Sequence, residues 1–329
     1  MRNISAPIAF AVRLFLGLAL LACAGTQASR AQDWPAKPVR IVVAFAPGGT
    51  ADLFARMLAA EMSNTFKQQF YVENIAGSAG AIGSLQASRA PPDGYTLLLG
   101  GAGPLLTSPA INPNVGYDTL RDFTHIGMIA GDGYVLGANA ASELKTFADV
   151  KRIGAQKPLS AGSPGTGSLG HLIIEQIKRK AGVQLEHVPF RSAGDSMTAV
   201  LGNHVDLSIQ TFSSAGEQVR SGKMTGLAVT TAERVPAFKD APTFTELGLS
   251  EVGGIAWFWL AAPAKLPPDI VGKLNAEVRR FVRLPDTRRR FDNDALVTMD
   301  LDAAALTAVI AKEVATWGPL AKEAGLRVQ

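Results

Sequence analysis

Short apolar runs and amphipathic stretches alternate along almost the whole chain. Strand-like runs occupy 39–45, 70–73 and 96–99. From about Ala51, the residues Leu53, Phe54, Met57 and Leu58 fall on one helical face, and 80–89 reads as a helix of small residues. A looser stretch leads to Tyr117-Asp118, and two further strand-like runs follow at 124–130 and 134–139. A second cycle begins with a helix over 146–155, a strand over 159–161 and a helix from Ser168 that carries Leu169, Leu172, Ile173 and Ile177 on one side. Strand-like runs at 185–188, 205–209 and 226–230 then alternate with helices at 195–201 and 215–221. Residues 255–262 look like a return strand, and the tail is helical over 269–283 and 303–324. This alternation predicts the α/β class, with mainly parallel sheets covered by helices on both faces and ligands beyond the carboxyl ends of the strands.

The first 31 residues stand outside this pattern. Arg2 and Arg13 lead into an apolar stretch, 14–24, too short to span a bilayer comfortably, and Ser29-Arg30-Ala31 offers a small-x-small cleavage site. The segment reads as a Sec-type signal peptide cut after Ala31, which sends the chain to the periplasm. The alternative is lipoprotein modification at Cys23 after Leu20-Leu21-Ala22, a signal that Leu21 fits poorly. Removing the leader takes away three arginines and no acidic residue, so the formal net charge falls from +4 to +1. What remains gives no footprint for nucleic acid. The run Arg288-Arg289-Arg290 is balanced by Asp286, Asp292 and Asp294 and reads as a solvated helix face. Cys23, the only cysteine, leaves with the leader, so neither disulfides nor thiol chemistry is expected.

Two glycine-rich turns carry the candidate chemistry. Pro47-Gly48-Gly49-Thr50-Ala51-Asp52 and Ser163-Pro164-Gly165-Thr166-Gly167-Ser168 each follow a strand-like run and open an amphipathic helix. Such turns aim unpaired backbone N–H groups at whatever lies above a helix N-terminus, where the dipole favours negative charge. Two of them, more than a hundred residues apart, imply a site pinched from two sides around an anion. Thr50, Ser163, Thr166 and Ser168 add hydroxyl donors without charge. Asp52 has two readings, a ligand contact or a brace that accepts backbone N–H groups of its own turn.

Other motifs point away from catalysis. Gly165-Thr166-Gly167-Ser168-Leu169-Gly170 spells G-x-G-x-x-G with Glu186 downstream. The preceding strand is short and weakly apolar, however, Pro164 interrupts the loop, and export removes the chain from NAD. Ser142-Glu143-Leu144-Lys145 matches S-x-x-K without its companion motifs, and no G-x-S-x-G elbow occurs. His171 and Glu175 have helical i, i+4 spacing but lack a further ligand, so no metal and no cofactor is expected.

The order of motifs along the mature chain resembles one family throughout. Trp34-Pro35-x-Lys37-Pro38-Val39-Arg40-Ile41 and Pro47-Gly48-Gly49-x-x-Asp52-x-x-Ala55-Arg56 open the resemblance, followed by Val72-Glu73-Asn74, Pro92-Asp93-Gly94-Tyr95-Thr96-Leu97-Leu98 and Tyr117-Asp118-x-x-x-Asp122-Phe123. Ser163-Pro164-Gly165-x-Gly167-Ser168-x-x-His171-Leu172, His187-Val188-Pro189, Gly222-Lys223, Leu227-Ala228-Val229-Thr230, Pro242-Thr243-x-x-Glu246-x-Gly248 and Ala262-Pro263 continue it. The chain is similar to the Bug-type, TctC-like receptors of tripartite tricarboxylate transporters. The resemblance implies a two-lobed (type II) periplasmic binding protein. Each lobe would be a mainly parallel sheet flanked by helices, with 32–132 and 257–329 in the first lobe and 133–256 in the second. It also implies a monomer that closes on a small organic carboxylate and delivers it to membrane subunits of the transporter or to a sensor kinase ectodomain. The carboxylate would be an aliphatic di- or tricarboxylate, an amino acid or an aromatic acid. The competing class is an exported oxidoreductase or hydrolase acting on a small anion.

Mapped onto this sequence, the ligand-binding residues implied are Phe45, Gly48, Gly49, Thr50, Ala51, Asp52, Ser163, Gly165, Thr166, Gly167, Ser168 and Phe190. Ser78, His171, Phe212, Trp257 and Trp259 are cleft or hinge candidates. Ordinary core packing is the alternative for each phenylalanine. The chain departs from the family pattern at Ile75-Ala76, at Gly77-Ser78-Ala79-Gly80, at Phe190-Arg191-Ser192 and at Trp257-Phe258-Trp259, whose third position is commonly glycine. An indole at 259 either offers a stacking face for an aromatic acid or packs beneath the hinge.

Overall fold

The computed structural model describes residues 34–112, 114–323 and 325. The expected leader and Cys23 lie outside them. Residues 34–36 form a short segment with a cis Trp34–Pro35 peptide, and the body of the protein is one contact unit from Lys37 onward. Among the described residues, no helix is long and apolar enough to cross a membrane.

The first parallel block is β1 (Val39–Val43), α1 (Thr50–Phe66), β2 (Phe70–Asn74), α2 (Ala81–Ser88) and β3 (Thr96–Gly101), with β1 lying between β2 and β3. A π-helical turn over Gly103–Thr107 and the single turn α3 (Ser108–Ile111) fill what the sequence pattern left irregular. The second block comprises α4 (Phe147–Gly154), β5 (Leu159–Ser163), α5 (Leu169–Ala181), β6 (Leu185–Pro189), α6 (Ala193–Leu201) and β7 (Leu207–Thr211). There β5 pairs in parallel with β6 and β7. Next come α7 (Phe212–Arg220), β8 (Met224–Val229), the return strand β9 (Ile255–Pro263), α8 (Pro268–Arg283), α9 (Pro285–Asn293) and α10 (Ala303–Glu323). The arginine run lies on α9, where Phe291 is buried while Arg288, Arg289 and Arg290 form exposed ion pairs, as a solvated face requires.

One strand joins the blocks. β4 runs unbroken over Phe123–Asn139, where the sequence pattern predicted two strands separated at Gly131-Asp132-Gly133. It is antiparallel to β9 from Phe123 to Gly133, to β7 from Tyr134 to Gly137, and to β8 from Val135 to Asn139. The sheet order is therefore β2-β1-β3-β9-β4-β7-β5-β6, with β8 also on β4, and antiparallel pairing through β4 and β9 interrupts the parallel arrangement. Glycine between apolar runs usually signals a turn. Here it signals close approach: a Cβ at Gly131 would lie 2.4 Å from the Trp257 ring, and one at Gly133 would lie 2.4 Å from the Phe212 ring.

The aromatics pack on both sides of this strand. Phe54 makes edge contacts of 5.4 Å with Phe258 and with Phe291, while Phe212 stacks on Phe238 at 4.6 Å. Trp259 is completely buried, and its indole N–H donates to His125 Nδ1 at 3.1 Å. It takes the packing role and presents no stacking face to solvent.

Because the Phe212 ring is buried between Gly133 and Phe238, it has nowhere to retreat from an added methyl group. Gly133→Ala is expected to cost about 1–3 kcal/mol through overpacking. Urea unfolding of the two proteins measures this, and an unchanged midpoint would contradict the contact.

Candidate functional site

The first turn follows β1. Gly48 has φ +88°, in the left-handed region, and Gly49 is the extended N-cap of α1 without a side-chain cap. The first intrahelical bond runs from Leu53 N–H to Gly49 O at 3.0 Å, which leaves the amides of Thr50, Ala51 and Asp52 without helical acceptors. Asp52 braces the loop from beneath. Its carboxylate accepts from Gly48 N at 3.0 Å, Arg56 Nε at 3.0 Å and Asn74 Nδ2 at 2.9 Å, and Arg56 also reaches its second oxygen at 3.0 Å. Asn74 holds the other side of the loop through Phe45 O at 3.1 Å. Burial by itself would raise the Asp52 pKa, but the bonds from Arg56, Gly48 and Asn74 outweigh it and hold the group below its ordinary value. Of the two roles open to Asp52, the structure gives it the brace, and the Gly48 N–H is occupied inside the turn.

The second turn is more completely self-satisfied. Ser163 is buried, contacts His187 Nε2 at 2.7 Å and accepts from Gly165 N at 3.3 Å. Gly167 N–H donates to His171 Nδ1 at 3.1 Å, Ser168 N–H to Gly165 O at 3.2 Å, and His171 N–H to the capping Ser168 hydroxyl at 3.2 Å. Gly167 (φ +80°) also lies where a Cβ would meet Ile111 Cδ1 at 2.0 Å, and the Thr107 hydroxyl donates to its carbonyl. Thr166, exposed at the tip, keeps a free hydroxyl, and the amides of Leu169 and Gly170 open α5. His171 has its Nδ1 occupied and stacks on His187 at 3.5 Å, and Glu175 pairs with Lys178 at 3.7 Å. Among the described residues, no His/Cys/Asp/Glu group is arranged to hold a metal.

The partner of the first turn is a third locus that the sequence pattern did not indicate. Thr50 Oγ1 lies 2.7 Å from Ser213 Oγ on the first turn of α7. The Ser213 hydroxyl donates to Asp132 Oδ2 at 2.5 Å, and its N–H points at the same carboxylate at 3.3 and 3.4 Å. Asp132, at the middle of β4, is fully buried and has no ion-pair partner among the described residues. Burial pushes its pKa up to about 7 against the opposing hydrogen bonds from Ser213, Thr211 and the Phe212 amide. Two signals were available. One is a lone acid between glycines inside an apolar run, and the other is the hydroxyl-rich strand-to-helix junction Thr211-Phe212-Ser213-Ser214. A search for glycine cradles passes over both.

The remaining candidates divide. Phe190 is half-buried beside the second turn, its N–H donating to Ser163 O at 2.9 Å and its ring lying over Gly162. Phe45 is half-buried at the first turn, and Ser78 is exposed at the start of a 3-10 turn with φ +47°. Phe212, Trp257 and Trp259 are buried and serve packing. Open cavities of ≈440 Å³ beside Arg279, Arg280 and Arg283 and ≈310 Å³ beside Asn139 and Lys223 share no lining residue with the two glycine turns. Each of those three arginines is already ion-paired, with Asp300, Glu277 or Glu61.

The stacked imidazoles make the second turn sensitive to acid. Burial pushes His171 down to about 3, helped by His187 and Lys178, and pushes His187 down to about 4, helped by Lys178. Both are therefore neutral in the folded state, while the unfolded chain takes up protons below its ordinary histidine pKa of 6.5. Their contribution to stability is present above pH 6.5 and is lost as pH falls toward 4, at up to about 1.4 kcal/mol per pH unit and site. Asp132 acts with the opposite sign, because its raised folded pKa makes it lose stability as pH rises from 3.8 toward 7. Urea unfolding between pH 7 and 4 is expected to show a slope that His187→Gln flattens. An unchanged slope in that variant would show the pair is not held neutral.

The comparisons with known proteins bear on the family and the fold. The family model described as the tripartite tricarboxylate transporter family receptor (TctC) matches residues 54–326. Rpa4515 of R. palustris, solved with adipate, is 30% identical with a TM-score of 0.85, covering 90% of this chain and 99% of its own. The periplasmic binding protein BugD is 31% identical with a TM-score of 0.84, covering 90% and 100%. MatC of Rhodopseudomonas palustris, with bound malate, is 28% identical with a TM-score of 0.82, covering 88% and 100%. The α/β architecture is thus that of the periplasmic binding proteins of this type. With the family model matched from within α1 through the second block to residue 326, the chain belongs to the TctC family of tripartite tricarboxylate transporter receptors.

Proposed function

We propose that this receptor binds a small aliphatic carboxylate at the N-terminus of α1 and closes on it without chemistry. The observation that carries the reading is the set of amides at Thr50, Ala51 and Asp52 that have no acceptor among the described residues, beside a carboxylate brace whose oxygens are occupied by Gly48, Arg56 and Asn74. A fixed cluster of N–H donors at a helix start suits an anion. It binds through several modest bonds rather than one strong ion pair, as a receptor that must release its cargo requires. In this reading the exposed Thr166 hydroxyl at the tip of the second turn adds a further donor. The buried Trp259 removes the ground for favouring an aromatic acid. Adipate in Rpa4515 and malate in MatC are consistent with an aliphatic ligand.

In this reading 32–132 and 257–329 form one lobe and 133–256 the other. The change of partners along β4 between Gly133 and Tyr134 supports the boundary. A ligand touching both lobes stabilises the closed form by its differential affinity for it. The closed form then meets membrane subunits of a tripartite tricarboxylate transporter, or a sensor ectodomain, in the periplasm. An exported enzyme would convert the same ligand, and recovery of the compound unchanged after incubation separates the two classes.

Thermal unfolding against a panel of aliphatic and aromatic carboxylates tests the site. A ligand at a hundred times its Kd is expected to add about 2.7 kcal/mol to stability. A panel without any shift would end the reading. Asp52→Ala, which frees the Gly48 N–H and unpairs Arg56, is expected to weaken the best ligand by at least about tenfold, roughly 1.4 kcal/mol. Calorimetric titration measures the loss, and unaltered affinity would place the anion elsewhere.

A further inference from the structure

Ser213 has two protons able to hydrogen bond, the hydroxyl and the amide, and both point at Asp132, at 2.5 Å and at 3.3–3.4 Å. An ionised carboxylate accepts and cannot donate. The 2.5 Å contact lies in the range of a charge-assisted O–H···O bond. With Asp132 ionised, Ser213 therefore shows lone pairs only toward the first turn. The 2.7 Å contact with Thr50 must then be donated by the Thr50 hydroxyl, which leaves that oxygen acceptor-rich as well. A carboxylate at the α1 amides would have oxygen acceptors, not donors, on the Ser213 side.

Resting on the proposed carboxylate site, we propose that Ser213, oriented by Asp132, selects ligands that carry a hydroxyl or ammonium donor beside the carboxylate over the otherwise identical unsubstituted acids. Asp132 is a positioning residue here, since it lies behind Ser213 and is itself fully buried. Its surroundings keep it in that role. Thr211, the Phe212 amide and Ser213 bond to it, Tyr134 is the titratable neighbour on its own strand, and no basic side chain among the described residues pairs with it. A protonated or amide group at 132 gains a donor able to bond Ser213 Oγ, so the Ser213 hydroxyl is no longer obliged to point away from the ligand. Its proton can then turn toward the ligand, and the preference weakens.

The test uses calorimetric titration at pH 8, above the value of about 7 to which burial raises Asp132, with matched sets: succinate, malate and aspartate; glutarate, 2-hydroxyglutarate and glutamate; propionate, lactate and alanine. In at least one set, the wild type is expected to bind the hydroxyl or ammonium member about tenfold or more tighter than the unsubstituted acid, the discrimination that one well-placed hydrogen bond supplies. The hydroxy and amino members report which donor is preferred. Asp132→Asn and the Ser213→Ala/Asp132→Asn double variant, which removes the hydroxyl without stranding a buried charge, are both expected to bring the ratio below about threefold. Equal affinities within every set, or a ratio that survives both variants, would overturn the inference and leave the carboxylate receptor standing. Failure of every acid in all three sets to bind would overturn both.

Discussion

The architecture hangs on one strand that serves two sets of neighbours. β4 completes the block containing β1, β3 and β9 with its first eleven residues and the block containing β5, β7 and β8 with the remainder. Because side chains alternate across a strand, this double duty fixes the facing of both blocks at once. The glycines near the exchange of partners are what make it sterically feasible. Trp257 and Phe212 lie directly on the backbone at Gly131 and Gly133, so the two aromatic clusters approach the same stretch of chain without a side chain between them. The single acid between these glycines is the one place where that stretch carries charge, and it sits behind α7.

Helix starts in this protein differ in how much of their hydrogen-bonding capacity the protein itself consumes. α5 is capped by Ser168, and its preceding turn is knitted to His171, His187, Ser163 and Thr107, so the loop is shaped by its own contacts. α1 is uncapped, and its brace acts on Gly48 one residue before the cap rather than on the helix amides. The two glycine turns look alike in sequence yet divide the labour. One is tied together by its own hydrogen bonds and exposes a threonine at its tip, and the other leaves the first three amides of α1 without helical acceptors. Direct bonding between hydroxyls at Thr50 and Ser213 brings α1 and α7 together where a symmetric clamp would have placed α5.

Most of the element pattern was legible because apolar periodicity and strand–turn–helix alternation are local properties. Strands β1, β2, β5, β6 and β9, and helices α1, α5, α8 and α10, lie within a few residues of where the pattern put them. The break expected in β4 was not there, since glycine's role as a turn residue and its role in close packing are identical in sequence. The turn from Gly103 to Ile111 was illegible for another reason: its π-helical geometry and its contact with Gly167 depend on a partner sixty residues away. At the site, the bracing role of Asp52 was readable as one of two options, and the neutral histidine stack was visible only as separate residues. Ser213 and Asp132 escaped because neither belongs to a glycine cradle. Their significance comes from being 81 positions apart in sequence and 2.5 Å apart in space.

The seat of Ile111 on Gly167 has an energetic meaning for the empty receptor. Ile111 is 2% exposed and Thr107 is fully buried, so a motion that parts α3 from the second turn uncovers part of an aliphatic side chain and removes one of the two carbonyl acceptors of the Thr107 hydroxyl, leaving Gly103 O within its own turn. Exposing an isoleucine completely costs roughly 1.5–3 kcal/mol. If the receptor opens between the two blocks as proposed, this contact favours the joined arrangement independently of the solute. Under that proposal the solute would supply less of the closing free energy, and its exit would be slower.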